Sequence, residues 1–451
     1  MKSNVIELND DVESIIKIFK KSGYECYIVG GAIRDKLIGR GVNDWDFTTD
    51  ANPDQILELA RKNSVKSIPT GKKFGTITLL INDEKYEVTT YRIEKDYVDH
   101  REPSVVYYSD SLIEDLKRRD FTINSLAYDI EMGVVDYFEG ISDLKNRIIR
   151  CVGEAEERFE EDALRMLRAI RFAAQLNFEI ESRTMDAILK KKNLLTFLSE
   201  ERIREELNKI LLSNNPRKGL DLFVKTGIIE VIFPELKDMI GFEQNTPHHD
   251  MDVFDHTISV VEKTPCRLNI RLAALLHDIA KPKCYLEDET GVGHFYGHEK
   301  ESSILANEFL KRLKYSNEMT ESVVNLVKNH MHVYRGEYTD KAIKKFVNKL
   351  KPNTLYDFID LQWADVMSTT HRGETEFLEV LKRRYEAILE RNEAFSLKDL
   401  DINGNDLMNA GFDRGPIIGE ILEYILEKVL ENPDLNRKKK LMKIAETKFL
   451  N

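Results

Sequence analysis

The chain has 451 residues, of which 42% are apolar and 32% are charged, and its formal net charge is −12. These values are typical of a globular protein, and they argue against a surface coated with nucleic acid throughout, although a local basic groove stays compatible. The sequence contains no stretch of ~20 apolar residues that could span a bilayer. The cysteines are widely spaced, which fits reduced thiols in a cytoplasm; they are Cys26, Cys151, Cys266 and Cys284.

The first elements predicted are a helix, a short buried strand and a second helix. The first helix spans roughly Asp10–Lys21, and the strand Cys26–Val29 follows it. Gly30 and Gly31 interrupt the strand, and a helical pattern begins just after them. Glycines let the backbone approach a ligand closely and a helix N-terminus offers free N–H groups, so this turn is suited to bind phosphate. Arg34 lies about one turn into the helix and can reach the same anion.

Two carboxylates follow on a second predicted strand, Asp44–Thr48. Asp44 and Asp46 are two residues apart, and alternate strand residues share a face, so both side chains point to one spot. Clustered carboxylates repel each other unless a cation lies between them, and hard oxygen ligands suit Mg²⁺. A phosphate-binding turn beside a predicted metal pair indicates nucleotidyl transfer assisted by two metal ions. Taken singly, the two patterns are more often an ordinary turn and a solvated edge.

The combination of Gly-Gly-x-x-Arg-Asp at 30–35 with Asp-x-Asp at 44–46 resembles motif A of the class II tRNA nucleotidyltransferases. This family contains the CCA-adding enzymes and the related bacterial poly(A) polymerases. The resemblance implies that Asp44 and Asp46 hold the catalytic Mg²⁺ ions. It also implies that the backbone of Gly30 and Gly31 and the side chain of Arg34 contact the triphosphate.

A β-hairpin is predicted next, with strands Phe74–Ile81 and Lys85–Arg92 joined by a turn at 82–84. Glu87 alternates with two apolar neighbours in the second strand and therefore faces away from them. On the residues alone, it is a solvated strand carboxylate. The resemblance implies instead that it completes the catalytic set with the two aspartates.

Residues 97–105 lack periodicity and contain Pro103, which predicts a loop. The segment resembles the flexible loop, Asp-x-Arg-x-Pro, that CCA-adding enzymes use when they switch from CTP to ATP. Asp99 and Arg101 are the matching residues. Family members that add only the two cytidines lack this loop, so its presence favours the full reaction.

Arg118–Asn124 follows the end of a predicted helix. An isolated Arg-Arg-Asp is more commonly a salt-bridged surface. At this distance from the first motif, Arg-Arg-Asp-Phe-Thr-Ile-Asn resembles motif B of the family. The resemblance implies that Arg119 and Asp120 contact the ribose hydroxyl and the phosphates, with Asn124 in the same nucleotide-binding set. The turn at 136–140 resembles motif C and is interpreted as structural.

An amphipathic helix is predicted over Glu157–Phe172. Asp162 and Arg165 are three residues apart and so share one face, which on its own indicates a helix salt bridge. The pattern Glu-Asp-x-x-Arg resembles motif D, which implies that these two side chains recognise the Watson–Crick edge of the incoming base. Arg offers donors and Asp offers acceptors, which matches the amino donor and ring acceptor of cytosine and adenine. Arg168 and Arg171 are placed in the same nucleotide-binding set.

The second half contains an ordered set of imidazoles and carboxylates: His256, His277, Asp278 and Asp365. A lone histidine on an apolar helix is usually a satisfied core residue. The ordered set resembles the HD superfamily of metal-dependent phosphohydrolases, which implies that these four side chains bind a divalent metal. Imidazole with carboxylate suits a transition metal better than Mg²⁺. His298 and His330 lie at places where some HD enzymes bind a second metal.

The predicted fold class is α+β. Four parts are expected: a nucleotidyltransferase head with a small mixed β-sheet (1–150), a helical neck and body for base recognition and tRNA binding (151–245), an HD-type helical bundle (246–370) and a helical tail that binds tRNA (371–451). The helix at 200–207 resembles motif E and is interpreted as structural support for motif D. The tail pattern Asp-Leu…Gly…Gly-Pro-x-Ile-Gly at 406–419 resembles the segment that holds the tRNA elbow. A basic run such as 437–440 is more often a solvated face, but here a phosphate contact is plausible.

These patterns predict template-independent addition of C, C and A to tRNA 3′ ends, from CTP and ATP with Mg²⁺, by a cytoplasmic enzyme. A metal-dependent phosphohydrolase activity in the HD part is an open second reaction. Three alternatives stay open: a poly(A) polymerase, which the acidic composition disfavours; an enzyme that adds only the terminal A; and an HD phosphohydrolase with an inactive head, which the intact Asp44, Asp46 and Arg119 disfavour.

Overall fold

The computed structural model of this chain describes residues 6–42, 44–98, 102–332, 339–350, 355–391 and 393–450. The chain divides into two compact units, Met1–Pro234 and Glu235–Asn451. The first unit contains a mixed sheet with helices, and the described residues of the second unit form helices and one short strand pair. This arrangement confirms the predicted α+β class. Within the described ranges, no helix combines the length and apolar character needed to cross a membrane.

The elements of the first unit are, in chain order, α1 (Asp10–Lys21), β1 (Cys26–Val29), α2 (Gly31–Leu37), β2 (Asp46–Thr49), α3 (Pro53–Lys62), β3 (Lys66–Gly71), β4 (Thr76–Ile81), β5 (Glu84–Thr90), β6 (Arg92–Val98), β7 (Glu102–Tyr108), α4 (Leu112–Lys117), β8 (Leu126–Asp129), β9 (Gly133–Asp136), α5 (Gly140–Asn146), β10 (Ile148–Ile149), α6 (Ala155–Glu161), α7 (Leu164–Leu176), β11 (Glu179–Ile180), α8 (Ser182–Lys191), α9 (Glu200–Leu211), α10 (Pro216–Thr226) and α11 (Ile228–Ile232).

Local sequence signals explain the first helix and strand, and both have their predicted bounds. The side chain of Asn9 accepts a hydrogen bond from the backbone of Val12 and so caps α1. The apolar residues of α1 recur at helical spacing and are buried. All four residues of β1 are buried, because this strand lies inside a sheet whose order is β3-β4-β5-β2-β1-β8-β9.

The register of this sheet brings the predicted catalytic residues together. β1 and β2 are antiparallel with Val29 opposite Asp46, so Gly30 at the end of β1 lies beside the start of β2. β2 and β5 are parallel, with Asp46 opposite Glu87. The glycine turn and two of the carboxylates therefore meet at one edge of the sheet.

Three predicted boundaries are wrong. β2 begins at Asp46, so Asp44 precedes the strand instead of starting it. The hairpin turn has two residues, Asn82 and Asp83, which both adopt positive φ, so β5 begins one residue earlier than predicted. At the outer ends the strands are shorter than predicted, since β4 begins at Thr76 and β5 ends at Thr90. The predicted loop at 97–105 lies largely in a separate antiparallel hairpin, β6–β7, where Pro103 is opposite Tyr97. A two-stranded ribbon consists of edges, where a proline is tolerated.

The second unit consists of α12 (Val253–Lys263), α13 (Leu268–Leu276), β12 (Leu286–Glu287), β13 (Gly293–His294), α14 (His298–Arg312), α15 (Asn317–Asn329), α16 (Asp340–Leu350), α17 (Leu355–Val366), α18 (Glu376–Glu390), α19 (Gly404–Asn409), α20 (Pro416–Glu431) and α21 (Lys438–Phe449). The last three helices enclose an apolar core of their own. In the basic run at the start of α21, Lys438 forms an ion pair with Asp406.

Candidate functional site

A cavity of about 810 Å³ opens in the first unit, and we call it the head cavity. It collects most of the predicted nucleotide-binding and catalytic residues from elements far apart in the chain. The residues that line it and were predicted from sequence are Gly30, Gly31, Arg34, Asp44, Asp46, Arg119, Asp120, Asn124, Asp162, Arg165, Arg168 and Arg171. Asp99 and Arg101 lie outside the residues that the structure describes.

Two carboxylates line one end of the head cavity, and a third lies next to them outside the lining. Asp44 and Asp46 line the cavity and are exposed, and Glu87 lies beside Asp46 on the neighbouring strand. The protein atoms around the Asp46 carboxylate remove part of its hydration, although the residue is exposed to the cavity, and this desolvation raises its pKa. Arg119 opposes the rise, and the negative charges of Glu87 and Asp44 add to it. These carboxylates thus repel one another at a spot that a divalent cation could occupy with oxygen ligands.

Position 30, at the end of β1, requires a glycine. Its φ is +76°, and a Cβ at this position would lie 3.0 Å from Nη1 of Arg119. A side chain would therefore both strain the backbone and displace the guanidinium. Arg119 is half-buried, its buried Nε has no hydrogen-bond partner, and the Asp115 carboxylate lies 3.7 Å from its Nη2. A positive group is thus held directly against the glycine turn.

A network of fixed side chains lies across the cavity floor. Arg34 donates from Nη1 to Asn124 at 2.6 Å, and Asn124 donates to Asp120 at 3.0 Å. Arg168 donates from Nε to the second oxygen of Asp120 at 2.7 Å. Burial opposes ionisation of Asp120, but Arg168 and Asn124 outweigh it and lower its pKa to about 2. These residues form one charged, hydrogen-bonded surface.

Three guanidinium groups surround a single phenyl ring in the same wall. Arg34, Arg168 and Arg171 lie 5.0, 5.4 and 4.4 Å from the ring centroid of Phe172. Arg171 also forms a buried ion pair with Glu206 at 2.8 Å. An aromatic face attracts cations, so Phe172 helps hold together positive charges that would otherwise repel. The sequence analysis did not identify this ring, because a phenylalanine on an amphipathic helix is usually a core residue.

The predicted continuous helix at 157–172 is wrong. α6 ends at Glu161, Asp162 has extended backbone angles, and α7 begins at Leu164. Asp162 accepts a hydrogen bond from the backbone of Leu164, so it acts as a cap for the new helix instead of lying inside one.

The break also changes the partners of the predicted base-recognition pair. Arg165 forms an ion pair with Glu161 at 2.6 Å, and the Asp162 carboxylate forms an ion pair with Arg202 at 3.1 Å. Arg202 lies on α9, the helix that was interpreted as structural, yet it lines the head cavity. No sequence signal separated Arg202 from the other charged residues around it.

The predicted metal residues of the second unit also meet. Nε2 of His256 lies 3.1 Å from Asp365, and Nε2 of His277 lies 3.1 Å from Asp278. Further histidines approach the other oxygen of Asp278, His298 at 3.2 Å and His330 at 3.6 Å. We call these six residues the histidine cluster. Two groups within it have metal-ligand geometry, and Asp278 is common to both: His256, His277 and Asp278; and Asp278, His298 and His330.

All four imidazoles of the histidine cluster are oriented in the same way. Each has its Nδ1 within hydrogen-bond distance of a backbone carbonyl, those of Ser368, Ala274, Phe295 and Val327. This arrangement leaves each Nε2 as the atom that faces the carboxylates, which is the orientation that metal-binding histidines adopt.

A buried cation already lies against the cluster. Nζ of Lys281 is 2.7 Å from Asp278, and burial acts against ionisation of this carboxylate. His277 and Lys281 nevertheless hold the pKa of Asp278 well below its ordinary value. Asp278 is therefore a buried, charged carboxylate, ready to act as a ligand.

Three family models match the chain: "Poly A polymerase head domain" at residues 26–150, "Probable RNA and SrmB-binding site of polymerase A" at 177–240, and tRNA nucleotidyltransferase domain 2 at 300–445. A CCA-adding enzyme of Staphylococcus aureus (strain Mu3) is 33% identical over 437 residues, which cover 97% of both chains. A CCA-adding enzyme of Lactobacillus johnsonii is 34% identical over 433 residues, 95% of both chains. A crystal structure of the Bacillus stearothermophilus CCA-adding enzyme in complex with CTP superposes with a TM-score of 0.72 at 26% identity, covering 98% of this chain and 99% of that one.

Proposed function

The chain belongs to the CCA-adding enzymes, and we propose that its head cavity adds C, C and A to the 3′ end of tRNA from CTP and ATP, releasing pyrophosphate. One observation carries this proposal: a single cavity combines clustered carboxylates at one end with a wall of guanidinium groups. Nucleotidyl transfer needs both features, because carboxylates hold the metal ions, and the metal ions and positive side chains together neutralise the highly charged triphosphate.

We propose Asp44, Asp46 and Glu87 as the ligands of Mg²⁺. The donor set fits, since it offers carboxylate oxygens only and the pKa of Asp46 is raised by burial and by its negative neighbours. When bound, Mg²⁺ supplies activation of the primer 3′-hydroxyl and neutralisation of the leaving charge. The carboxylates themselves fix where that hydroxyl must approach the α-phosphate.

The triphosphate contacts are proposed at the glycine turn, next to the carboxylates. Gly30 brings the backbone close, Arg119 lies against it, and Arg34 is fixed by Asn124. Arginine cannot lose its charge at working pH, so this side stays positive in every state of the reaction. Asp120, ionised and held by Arg168, offers its carboxylate toward the ribose hydroxyl.

Base recognition is proposed at Asp162 and Arg165, which both line the cavity. A carboxylate acceptor and a guanidinium donor suit the edges of cytosine and adenine. Asp99 and Arg101 of the flexible loop are proposed to act in the change from CTP to ATP.

The test uses three tRNA substrates, lacking all three terminal nucleotides, lacking only the terminal A, or complete, each incubated with every NTP singly and with CTP plus ATP. We expect C, C and A on the first substrate, one A on the second and nothing on the third. Extension of the complete tRNA by many A residues would indicate a poly(A) polymerase. Activity on the second substrate alone would indicate an A-adding enzyme.

We propose a second function for the histidine cluster, a metal-dependent phosphohydrolase. The observation that favours it is the common orientation of four imidazoles toward Asp278, whose two oxygens have no hydrogen-bond partner that satisfies normal geometry. His256, His277, Asp278 and Asp365 would hold a transition metal, which supplies Lewis-acid activation of water and of a phosphoryl group. Metal analysis of the purified protein and hydrolysis of bis-p-nitrophenyl phosphate test this function; a metal-free, inactive protein after incubation with Mn²⁺ or Ni²⁺ would reject it.

The cytoplasm is the proposed location. All four cysteines are free, and Cys26 and Cys151 are buried. Burial raises the pKa of the Cys151 thiol to about 12, so it stays protonated and resists oxidation. A reducing compartment fits these residues.

A further inference from the structure

We infer that Asp115 is a positioning residue of the head cavity: it holds the Arg119 guanidinium away from Asp46 and so keeps that carboxylate available to a metal ion. Asp115 lies on α4 and was not among the site residues predicted from sequence. The inference rests on the proposed function of the cavity, in which Asp46 is a ligand of Mg²⁺, and it adds a buried carboxylate that the proposed function does not use.

Asp115 is a buried, charged carboxylate whose two oxygens face different groups. Its side chain is 0% exposed. Arg118 donates to Oδ1 from Nε at 3.1 Å and from Nη2 at 2.8 Å, and the backbone N–H of Arg92 donates to the same oxygen at 3.3 Å. Oδ2 accepts a hydrogen bond from the hydroxyl of Thr48 at 3.1 Å. Burial opposes ionisation of Asp115, but the neighbouring guanidinium groups outweigh it and hold its pKa below the ordinary value.

The contact with Thr48 shows where this carboxylate lies relative to the proposed metal site. Thr48 and Asp46 are two residues apart on β2, and alternate strand residues share a face, so both side chains point to the same side of the sheet. The rise of a strand separates their Cα atoms by about 7 Å. Asp115 is thus bound to the strand position next to Asp46 on that face.

Arg119 interacts with both carboxylates. Its Nη2 is 3.7 Å from Oδ2 of Asp115, and among the residues that the structure describes, Asp115 offers the only carboxylate within 4 Å of this guanidinium. The positive charge of Arg119 also acts on Asp46, where it counters the rise in pKa. A third acid that attracts it, Asp120, is already held by Arg168. Arg119 therefore has two competing anionic neighbours, one that is buried and fixed and one that must stay available to a cation.

This competition decides whether the metal site is open. A guanidinium that closes onto a carboxylate forms a charge-assisted pair, often through two hydrogen bonds, and takes up the oxygens that a divalent cation needs. Such a pair is stronger near protein than in water, because the dielectric constant is lower. The charge of Asp115 keeps Arg119 where it lies, with Nη1 against the turn at Gly30. Asp46 is thereby left to hold the ion, and Arg119 is left to meet the triphosphate.

The test measures binding of Mn²⁺ alone, by electron paramagnetic resonance of the free ion, to wild type, Asp115→Asn, Arg119→Gln and the double variant. Each protein is compared with its own Asp46→Ala form, which removes the proposed metal ligand, so that ions bound at the histidine cluster are subtracted. Asparagine keeps the shape of Asp115 but loses its charge. Glu114→Gln is the matched control, since it removes a carboxylate from the neighbouring position of the same helix.

We expect Asp115→Asn to weaken the Asp46-dependent binding of Mn²⁺ about tenfold, because Arg119 is then drawn to Asp46 at intermediate dielectric constant. Glu114→Gln should leave this binding unchanged. In the Arg119→Gln background, the effect of Asp115→Asn should shrink to less than about twofold, because the competing guanidinium is gone. In CTP addition, the Mg²⁺ concentration that gives half the maximal rate should rise by the same factor in Asp115→Asn, which a residue that only stabilises the fold would not cause.

Circular dichroism and thermal unfolding check that each variant is folded. Asp115→Asn leaves Arg118 without its carboxylate, so if the single variant unfolds, Asp115→Asn/Arg118→Gln, which removes both members of the ion pair, replaces it in the same comparison. Unchanged binding of Mn²⁺ in a folded variant, or the same weakening with and without Arg119, would overturn the inference alone. If Asp46→Ala removes no Mn²⁺ from wild type, the metal assignment of the proposed function is overturned, and this inference with it.

Discussion

The head cavity and the histidine cluster both combine carboxylates with nitrogen groups, but they use opposite chemistry. The cavity is open and its nitrogens are mostly guanidinium groups, which stay charged and bind anions. The cluster is buried and its nitrogens are imidazoles with Nε2 directed inward, which can be neutral and bind metals. The first arrangement suits an exchangeable, highly charged substrate, and the second suits a resident ion.

The largest effect is expected at the exposed carboxylates of the cavity. Asp44→Ala or Asp46→Ala should abolish addition with both CTP and ATP, because each change removes a proposed metal ligand. The measurement is single-turnover addition in Mg²⁺, with Asp54→Ala as control, an exposed carboxylate bound to Lys72. A rate above a few per cent of wild type in either cavity variant would contradict the assignment.

Replacing a carboxylate of the histidine cluster by alanine should affect metal binding there and not nucleotide addition. Asp278→Ala should remove bound transition metal and any phosphohydrolase activity while leaving CCA addition intact. Asp288→Ala is the control, since that exposed carboxylate binds His294 outside the cluster. Metal content and tRNA extension are measured on the same preparation, and loss of both activities in a folded variant would refute the independence of the two sites.

The sequence predicted many of the residues that line the cavity, but it did not predict which of them contact one another. Strand β1 and its glycine turn were predictable, because an apolar run that ends in Gly30 leaves few alternatives. The break at Asp162 was not, since apolar residues on both sides keep helical spacing and an aspartate is compatible with either a helix or a cap.

The partner of Asp162 could not be predicted for a different reason. Arg202 is 40 residues away, on a helix rich in charges, and only the packing of α9 against α7 brings it into the cavity. The histidine cluster differs, because the resemblance of its residue order to the HD superfamily already implied that His256, His277, Asp278 and Asp365 meet.

Asp120 should make the free energy of unfolding of the protein depend measurably on pH. The pKa of Asp120 in the folded protein is about 2, below the ordinary 3.8. Its ionised carboxylate therefore adds fully to the free energy of unfolding at pH values above 3.8, and this contribution is lost as the pH falls toward 2. The shift corresponds to about 2 kcal/mol. The free energy of unfolding of wild type should exceed that of Asp120→Asn by about this amount at pH 7, and the gap should narrow between pH 5 and 3; a constant gap would contradict the ion pair with Arg168.

The smallest effect is expected at Arg165, because Asp162 still lines the cavity when this guanidinium is removed. Arg165→Ala should raise incorporation of UTP and GTP relative to CTP and ATP, by about 1 kcal/mol of discrimination for lost hydrogen bonds to a base edge. A plain surface salt bridge contributes ~0.3–0.5 kcal/mol and would leave nucleotide preference unchanged. Single-turnover rates with all four NTPs decide between the two roles, provided that circular dichroism shows a folded variant.

Metal rescue at Asp46 tests the central claim, that the carboxylates of the head cavity hold the ions for nucleotide addition. A thiolate is a poor ligand for Mg²⁺ but a good one for softer ions. Asp46→Cys should therefore be inactive in Mg²⁺ and should regain part of its rate of CTP addition when Mn²⁺ or Cd²⁺ is supplied, whereas Asp46→Ala should regain none. Equal activity of Asp46→Cys and wild type in Mg²⁺ alone would contradict the claim.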